Sequence, residues 1–271
     1  MSKAKTEQAK SEKISRFMSK LIGYANPQWY AEGAPTKGQA RVLDALEDLS
    51  DKIDVEFAAE PDVAAELHHK FGESLSWASG KYGGETAERL KKKSNFHFLR
   101  ALELRKQFYG EHHELVAKDM FYTISIIPKN WQERADMLMK AMTIMRETNP
   151  NNLNYPYMIE SYTHRLIQPD SEETHEIYRQ AILPPTDENK YQIAEKMLRE
   201  SLSIFRLHYE EDNYAILLAE CKLSYALIMQ EDSKDFDEHF ALCKQGREKY
   251  PDFKEFYELI EKALAEKRII R

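Results

Sequence analysis

An all-α protein is predicted from three observations on the 271-residue chain. Glycine (9) and proline (10) are too few for the many turns that a β fold needs. No segment of useful length alternates apolar and polar residues with period two. Apolar residues recur instead at helical spacing in one stretch after another, with short breaks at Gly, Pro or Asn-Pro.

In residues 6–25, "TEQAKSEKISRFMSKLIGYA", Ile14, Phe17, Met18, Leu21, Ile22 and Ala25 form one helical stripe. Asn26-Pro27 ends it, because the residue before proline is pushed out of the α region. Segment 1–27 therefore reads as a basic amphipathic helix, with Lys3, Lys5, Lys10, Lys13, Arg16 and Lys20 set against Glu7 and Glu12. Such a helix either lies on a membrane surface or a partner helix, or packs on the first repeat as a cap. The capping reading is the preferred one. Gly33, Pro35 and Gly38 mark a loop over 28–38. Thr36 is placed to cap a helix over 37–58, with Val42, Leu43, Leu46, Leu49, Ile53 and Phe57 inward, so 36–60 is a linking or capping segment.

From Pro61 onward helices are predicted near 61–79, 94–109, 112–127, 130–148, 154–168, 171–183, 187–209, 213–230, 234–250 and 252–268. Pro61 suits a first-turn position. The stretch 80–93, "GKYGGETAERLKKK", is glycine-rich and then basic, and reads as a long loop.

Several of these helices share a spacing. "AEKMLRESLSIFR" at 194–206 puts Ala194, Leu198 and Ser201 at i, i+4 and i+7, a small–large–small pattern that lets two helices approach closely. Ser94, Phe98 and Ala101 repeat it. In "RADMLMKAMTIMR" the fit is looser, through Ala135, Met139 and Met142 or through Arg134, Leu138 and Ala141. His239, Cys243 and Gly246 repeat it again, and Pro251 then turns the chain. In the helix over 61–79, Phe71-Gly72 followed by Leu75 supplies the matching close approach from the first helix of a pair.

This block resembles tetratricopeptide repeats, and more narrowly degenerate repeats near 40 residues, since Leu102 to Met142 spans 40. Segment 12–119 also resembles the region downstream of the membrane span in bacterial Ser/Thr protein kinases with C-terminal tetratricopeptide repeats. The matching stretches are "EKISRFMSKLIGYANP", "VLDALEDLSDKIDVEF", "EPDVAAELHHKFGESL" and "ALELRKQFYGEHHELVA". The chain departs from that family in the lengthened join "GKYGGETAERLKKKSNF" and in the middle, 149–186, which fits no clean repeat. It also has no glycine-rich loop followed by a strand lysine and no His-Arg-Asp, so the kinase domain is not in this chain. The resemblance implies a right-handed α-solenoid of about four helix pairs over 61–271, preceded by the two N-terminal helical segments.

Net charge is −7, which gives the whole chain no electrostatic case for nucleic acid. No run reaches the length of a membrane span and no signal-peptide core follows Met1, so the chain as it stands is expected in the cytosol. As a piece of a receptor kinase it would be extracytoplasmic. Cys221 and Cys243 show no metal spacing and are expected as reduced core thiols.

Enzymatic readings find little to stand on. Glu66-x-x-His69 and Glu172-x-x-His175 match the spacing of di-iron helix bundles, which need further carboxylates from facing helices. "EHHE" at 111–114 reads as a helix start, with acids at the positive end of the dipole and solvent-facing histidines. Neither cysteine has a base nearby in sequence, and no Gly-x-Ser-x-Gly, P-loop or dinucleotide fingerprint occurs. The lysine run 91–93 reads as solvated, and no cofactor is expected. Tyr155, Tyr157, Tyr162 and Tyr178 are either core or a contact surface.

The expected function is a non-enzymatic protein-interaction module, a scaffold or a sensor region in bacterial signalling. Stacked pairs expose the first helix of each pair on a concave face, which the resemblance implies holds a partner protein or peptide. The matching positions are Glu66, His69, Lys70, Glu73 and Ser76, then Lys118, Tyr122, Tyr157, Glu160 and His164. The alternatives are a self-assembling helical-repeat protein and, less favoured, a metal-dependent enzyme built on the Glu-x-x-His pairs.

Overall fold

The computed structural model describes residues 11–17, 47–167, 177–181, 187–230, 235–250 and 253–270, the side chains of 255 and 267–270 aside. All secondary structure among them is helical, as the sequence predicts. The chain divides into two compact units, Met1–Glu111 and His112–Arg271. That division falls inside 61–271, the segment read as one block. Among the described residues no helix is long and apolar enough to cross a membrane.

The first unit contains α1 (Ile53–Glu56), α2 (Pro61–Ser79) and α3 (Gly84–Tyr109). Residues 11–17 are also helical and bring Phe17 edge-on to Phe57, with ring centroids 5.4 Å apart. Lys13 Nζ reaches Glu60 Oε2 at 2.6 Å, so this short stretch sits on the helices that follow it. Residues 18–46, with most of the predicted N-terminal stripe, lie outside the described residues. The helix predicted over 37–58 is interrupted where it is described: 47–50 is helical, Asp51 and Lys52 form a turn, and α1 follows. Ser50 Oγ donates to the Glu47 carbonyl at 2.8 Å, a local bond that competes with helix continuation. Leu49, Ile53 and Phe57 point inward as predicted.

α2 and α3 form an antiparallel hairpin closed by Gly72. A Cβ there would lie 2.8 Å from Phe98 Cδ1, so glycine is what lets the ring sit against the α2 backbone. Ser94 Oγ donates to the Gly72 carbonyl at 2.8 Å, and Ala101 completes the buried face. The predicted small–large–small pattern is thus the hairpin seam. One expectation is corrected. Residues 80–93 are not a long loop, because α3 begins at Gly84 and only 80–83 turn. "TAERLKKK" is made of good helix formers, and its Leu90 is buried with Leu75. Arg89 and Lys93 also bond Glu47 and Asp51.

The second unit contains α4 (Glu114–Thr123), α5 (Trp131–Thr148), α6 (Asn154–Ile167), α7 (Lys190–His208), α8 (Tyr214–Met229), α9 (Phe236–Lys249) and α10 (Lys254–Ile270). Asparagines start four of its elements. Asn130 Oδ1 accepts from Glu133 N, Asn189 forms a capping box with Gln192, Asn213 accepts from Ala215 N, and Asn152 Oδ1 accepts from Asn154 N at the head of α6. Each helix from α4 to α9 packs on the next, and α8 also packs on α6 and α10. α8 is apolar nearly all round and buried from Ala215 to Leu227 but for Leu218, which makes it the centre of the unit.

The stretch "AEKMLRESLSIFR" buries Ala194, Leu198 and Ser201 completely, with Ser201 Oγ 3.4 Å from the Pro156 carbonyl of α6. In α5 the inward set combines the two predicted options, as Ala135, Leu138, Ala141 and Met142. Gly246 plays the role of Gly72, since a Cβ there would run into the Phe253 ring. The expectation of reduced thiols is overturned, because Cys221 and Cys243 form a disulfide between α8 and α9. Spacing alone showed no pairing, but the antiparallel α8–α9 packing brings their Cα atoms to 4.6 Å.

Candidate functional site

The predicted partner-facing residues fall on three helices. On α6, Tyr157, Glu160 and His164 are spaced i, i+3 and i+7, which puts them on one stripe. Tyr157 is 38% exposed, its ring packs on Phe205 at 5.0 Å, and its hydroxyl lies 3.1 Å from that of Tyr209. His164 is half-buried, with its ring 5.6 Å from Phe256 of α10.

Glu160 does not lie open as expected. It is 7% exposed, and Lys222, from the fully packed α8, reaches its Oε2 at 2.5 Å and its backbone carbonyl at 3.3 Å. The Lys222 ammonium also sits 5.7 Å from the Phe256 ring centroid. Glu160 Oε1 is buried and makes no hydrogen bond. Burial raises the Glu160 pKa from the ordinary carboxylate value, and the Lys222 charge only partly offsets this. A buried ion pair is weak evidence for stability, since hydrophobic residues of similar volume often serve as well. It ties α6 to α8 at the middle of the stripe.

A second buried charge system lies behind α8. Glu220 is wholly buried; its Oε1 accepts from Arg206 NH2 at 2.8 Å and its Oε2 lies 2.5 Å from His239 Nδ1. Three consecutive residues of α8 therefore bind it to three helices. Glu220 reaches α7 and α9, Cys221 is bonded into α9, and Lys222 reaches α6. The His239–Glu220 contact ties α9 to α8.

On α2, Glu66, Lys70 and Glu73 share one stripe, with Lys70 Nζ 2.8 Å from Glu73 Oε2 and Glu66 bonded to Arg105. Ser76 is exposed. His69 is a correction, because its ring is buried, edge-on to Phe98 at 5.8 Å, and is not presented to a partner. The stripe ends instead in Trp77, which is 70% exposed under the Lys81 ammonium at 5.1 Å. Sequence reasoning missed Trp77, although its i+4 distance from Glu73 put it on the same stripe. On α4, Lys118 and Tyr122 are half-buried.

The remaining candidate chemistry is dispersed. Glu66 and His69 turn to different partners, and 172 and 175 lie outside the described residues. No group of three or more His, Cys, Asp or Glu side chains suited to a metal occurs among the described residues. In "EHHE" the helix starts at Glu114, so Glu111 precedes it. His113 accepts from Leu115 N as the cap, and His112 faces solvent beside Glu147. Tyr155, Tyr162 and Tyr178 are core, and Tyr157 alone of that group is surface. No family model matches this chain, and no curated protein matches it.

Proposed function

We propose that this chain is a non-enzymatic protein-interaction module, built as a right-handed α-solenoid of tetratricopeptide-like pairs that holds a partner peptide on the first helices of its pairs. The observation that carries this reading is the second unit's ordered packing of α4 to α9, each helix against the next, with α6 set beside α8. That arrangement leaves the stripe of Tyr157 and His164 on a rigid element fixed by the Glu160–Lys222 pair. A preformed face loses little entropy on binding, and tyrosine contributes large contact area at low ordering cost. On α2 the same role falls to Lys70, Glu73, Ser76 and Trp77.

The test is a peptide-display selection against the whole chain, followed by calorimetric affinities for the selected peptides. Tyr157→Ala and Trp77→Ala are each expected to weaken binding by tenfold or more if they sit at a hot spot. Ser203→Ala, on the exposed side of α7, is the control. Selected peptides whose affinity ignores both aromatic residues would overturn the reading.

The disulfide adds a compartment to this proposal. Such bonds persist in oxidising surroundings, which favours the extracytoplasmic placement of the sensor-region reading over the cytosolic one.

A further inference from the structure

The α2–α3 seam holds a polar cluster that the proposed interaction face does not use. His68 of α2 and His97 of α3 are both buried, and their Nδ1 atoms lie 2.7 Å apart. At that distance one nitrogen donates and the other accepts, so a single proton closes the pair. A second proton charges one ring: on the accepting Nδ1 it sets two N–H donors against each other, and on an outer Nε2 it leaves a positive charge buried in the seam.

The groups around the pair do not relieve that conflict. From α1, Asp54 Oδ1 lies 3.4 Å from His68 Nε2 but also takes Arg100 Nε of α3 at 3.0 Å. Asp51, in the turn before α1, is 3.2 Å from Lys93 Nζ of α3. From the helical stretch 11–17, Lys13 is taken up by Glu60. His69, the next residue on α2, faces Glu73 at 3.3 Å. Phe71 and Phe96 cover His97, with centroids at 6.0 and 5.3 Å.

We propose that the His68–His97 pair is an acid-sensitive latch between α2 and α3, closed by one shared proton at neutral pH and opened when a second proton enters. Burial pushes His97 down to about 4 from the ordinary 6.5, with the His68 and Lys93 charges acting in the same direction against Asp51 and Asp54. Burial also lowers His68, and Asp54 opposes this without cancelling it. A lowered folded-state pKa means that the open chain binds more protons than the closed one. The latch is therefore at full strength above pH 6.5 and is lost as pH falls from 6.5 toward about 4. Over that range the closed-to-open ratio is expected to fall on the order of 100-fold for His97 alone.

The full chain, labelled with 15N-histidine, gives a direct test by long-range proton–nitrogen correlation spectra between pH 7.5 and 4.5. Two neutral rings of opposite tautomer are expected, one protonated at Nδ1 and one at Nε2, both staying neutral well below pH 6.5. Hydrogen exchange of peptides from 61–79 and 94–109, corrected for intrinsic rate, should accelerate across the same range in the wild type. It should do so much less in the His68→Gln/His97→Gln double variant. Rings of the same tautomer, rings that titrate together near pH 6.5, or exchange with equal acid dependence in both proteins would each overturn the latch. The wild-type ring titration decides alone if the double variant does not fold.

Discussion

In the first unit the main helix seam is closed by Gly72, Ser94, the His68–His97 pair and the buried Arg105 bonded to Glu66. In the second unit the seams around α8 carry the buried Glu160–Lys222 pair on one side and, on the other, the buried Glu220 held by His239 and by Arg206 from the surface, with a disulfide between them. The difference follows from helix environment. α3 is amphipathic, with an outer face carrying Lys91, Lys92, Phe96 and Leu99, and its buried polar residues Ser94, His97 and Arg105 all find partners on α2. α8 is buried along most of its length, so its charged residues Glu220 and Lys222 reach partners on neighbouring helices, while Ser224 Oγ donates to the Glu220 carbonyl of α8 itself.

The strongest way to break this contrast is to remove one partner of the α6–α8 pair. Lys222→Met leaves Glu160 buried and uncompensated, and is expected to destabilise the second unit by about 3–5 kcal/mol. Glu160→Met/Lys222→Met removes both charges and should recover most of that loss, because the pair as a whole adds little net stability. Calorimetric melting of the two variants checks this. A double variant as unstable as the single one would show that the site needs the charges for its geometry, which would sharpen the case that they position Tyr157 and His164.

Next in size is the disulfide. Reduction, or Cys221→Ser/Cys243→Ser, opens a loop of 22 residues and should cost about 3 kcal/mol. The first unit contains neither cysteine, so its unfolding should not move. A reduced protein in which both units melt earlier would mean that they do not unfold independently. Measured by denaturant unfolding with and without reductant, this result bears directly on whether the two regions can be compared as separate folding units.

Legibility in the sequence tracked the kind of interaction involved. Helix positions were readable because amphipathic spacing is a local property, and "AEKMLRESLSIFR" or Ser94, Phe98 and Ala101 marked buried seams before any fold was known. The start of α3 was misread because Gly80, Gly83 and Gly84 lie together, and the helix formers behind them depend on burial of Leu90, a tertiary fact. The site was half legible for the same reason. The repeat resemblance puts Tyr157, Glu160 and His164 on the partner-facing side, but Glu160 is drawn inside by Lys222, 62 residues away. His69 and His68 show the limit most plainly. They are adjacent on α2 and both are buried, although His69 is among the expected partner-facing positions, and the partner of His68 is 29 residues away on α3. The Cys221–Cys243 bond likewise needed the α8–α9 pairing and not a spacing rule.

The smallest expected effect comes from the two close-approach glycines, and it compares the units at the level of a single methyl group. Gly72→Ala gains helix propensity worth about 1 kcal/mol but drives a Cβ to 2.8 Å from Phe98 Cδ1 and Cε1, a ring that is itself buried. Overpacking of this kind costs about 1–3 kcal/mol, so the net loss should be about 0–2 kcal/mol. Gly246→Ala meets Phe253 more closely still and should cost more than Gly72→Ala. Because the conflict in each case is with one ring, Phe98→Leu should rescue Gly72→Ala, and Phe253→Leu should rescue Gly246→Ala, each in a double-mutant cycle with a favourable coupling energy. If Phe98→Leu fails to rescue, the ring is not what sets the α2–α3 distance. The His68–His97 pair, a few residues along the same seam, would then be the element that holds the two helices at that spacing.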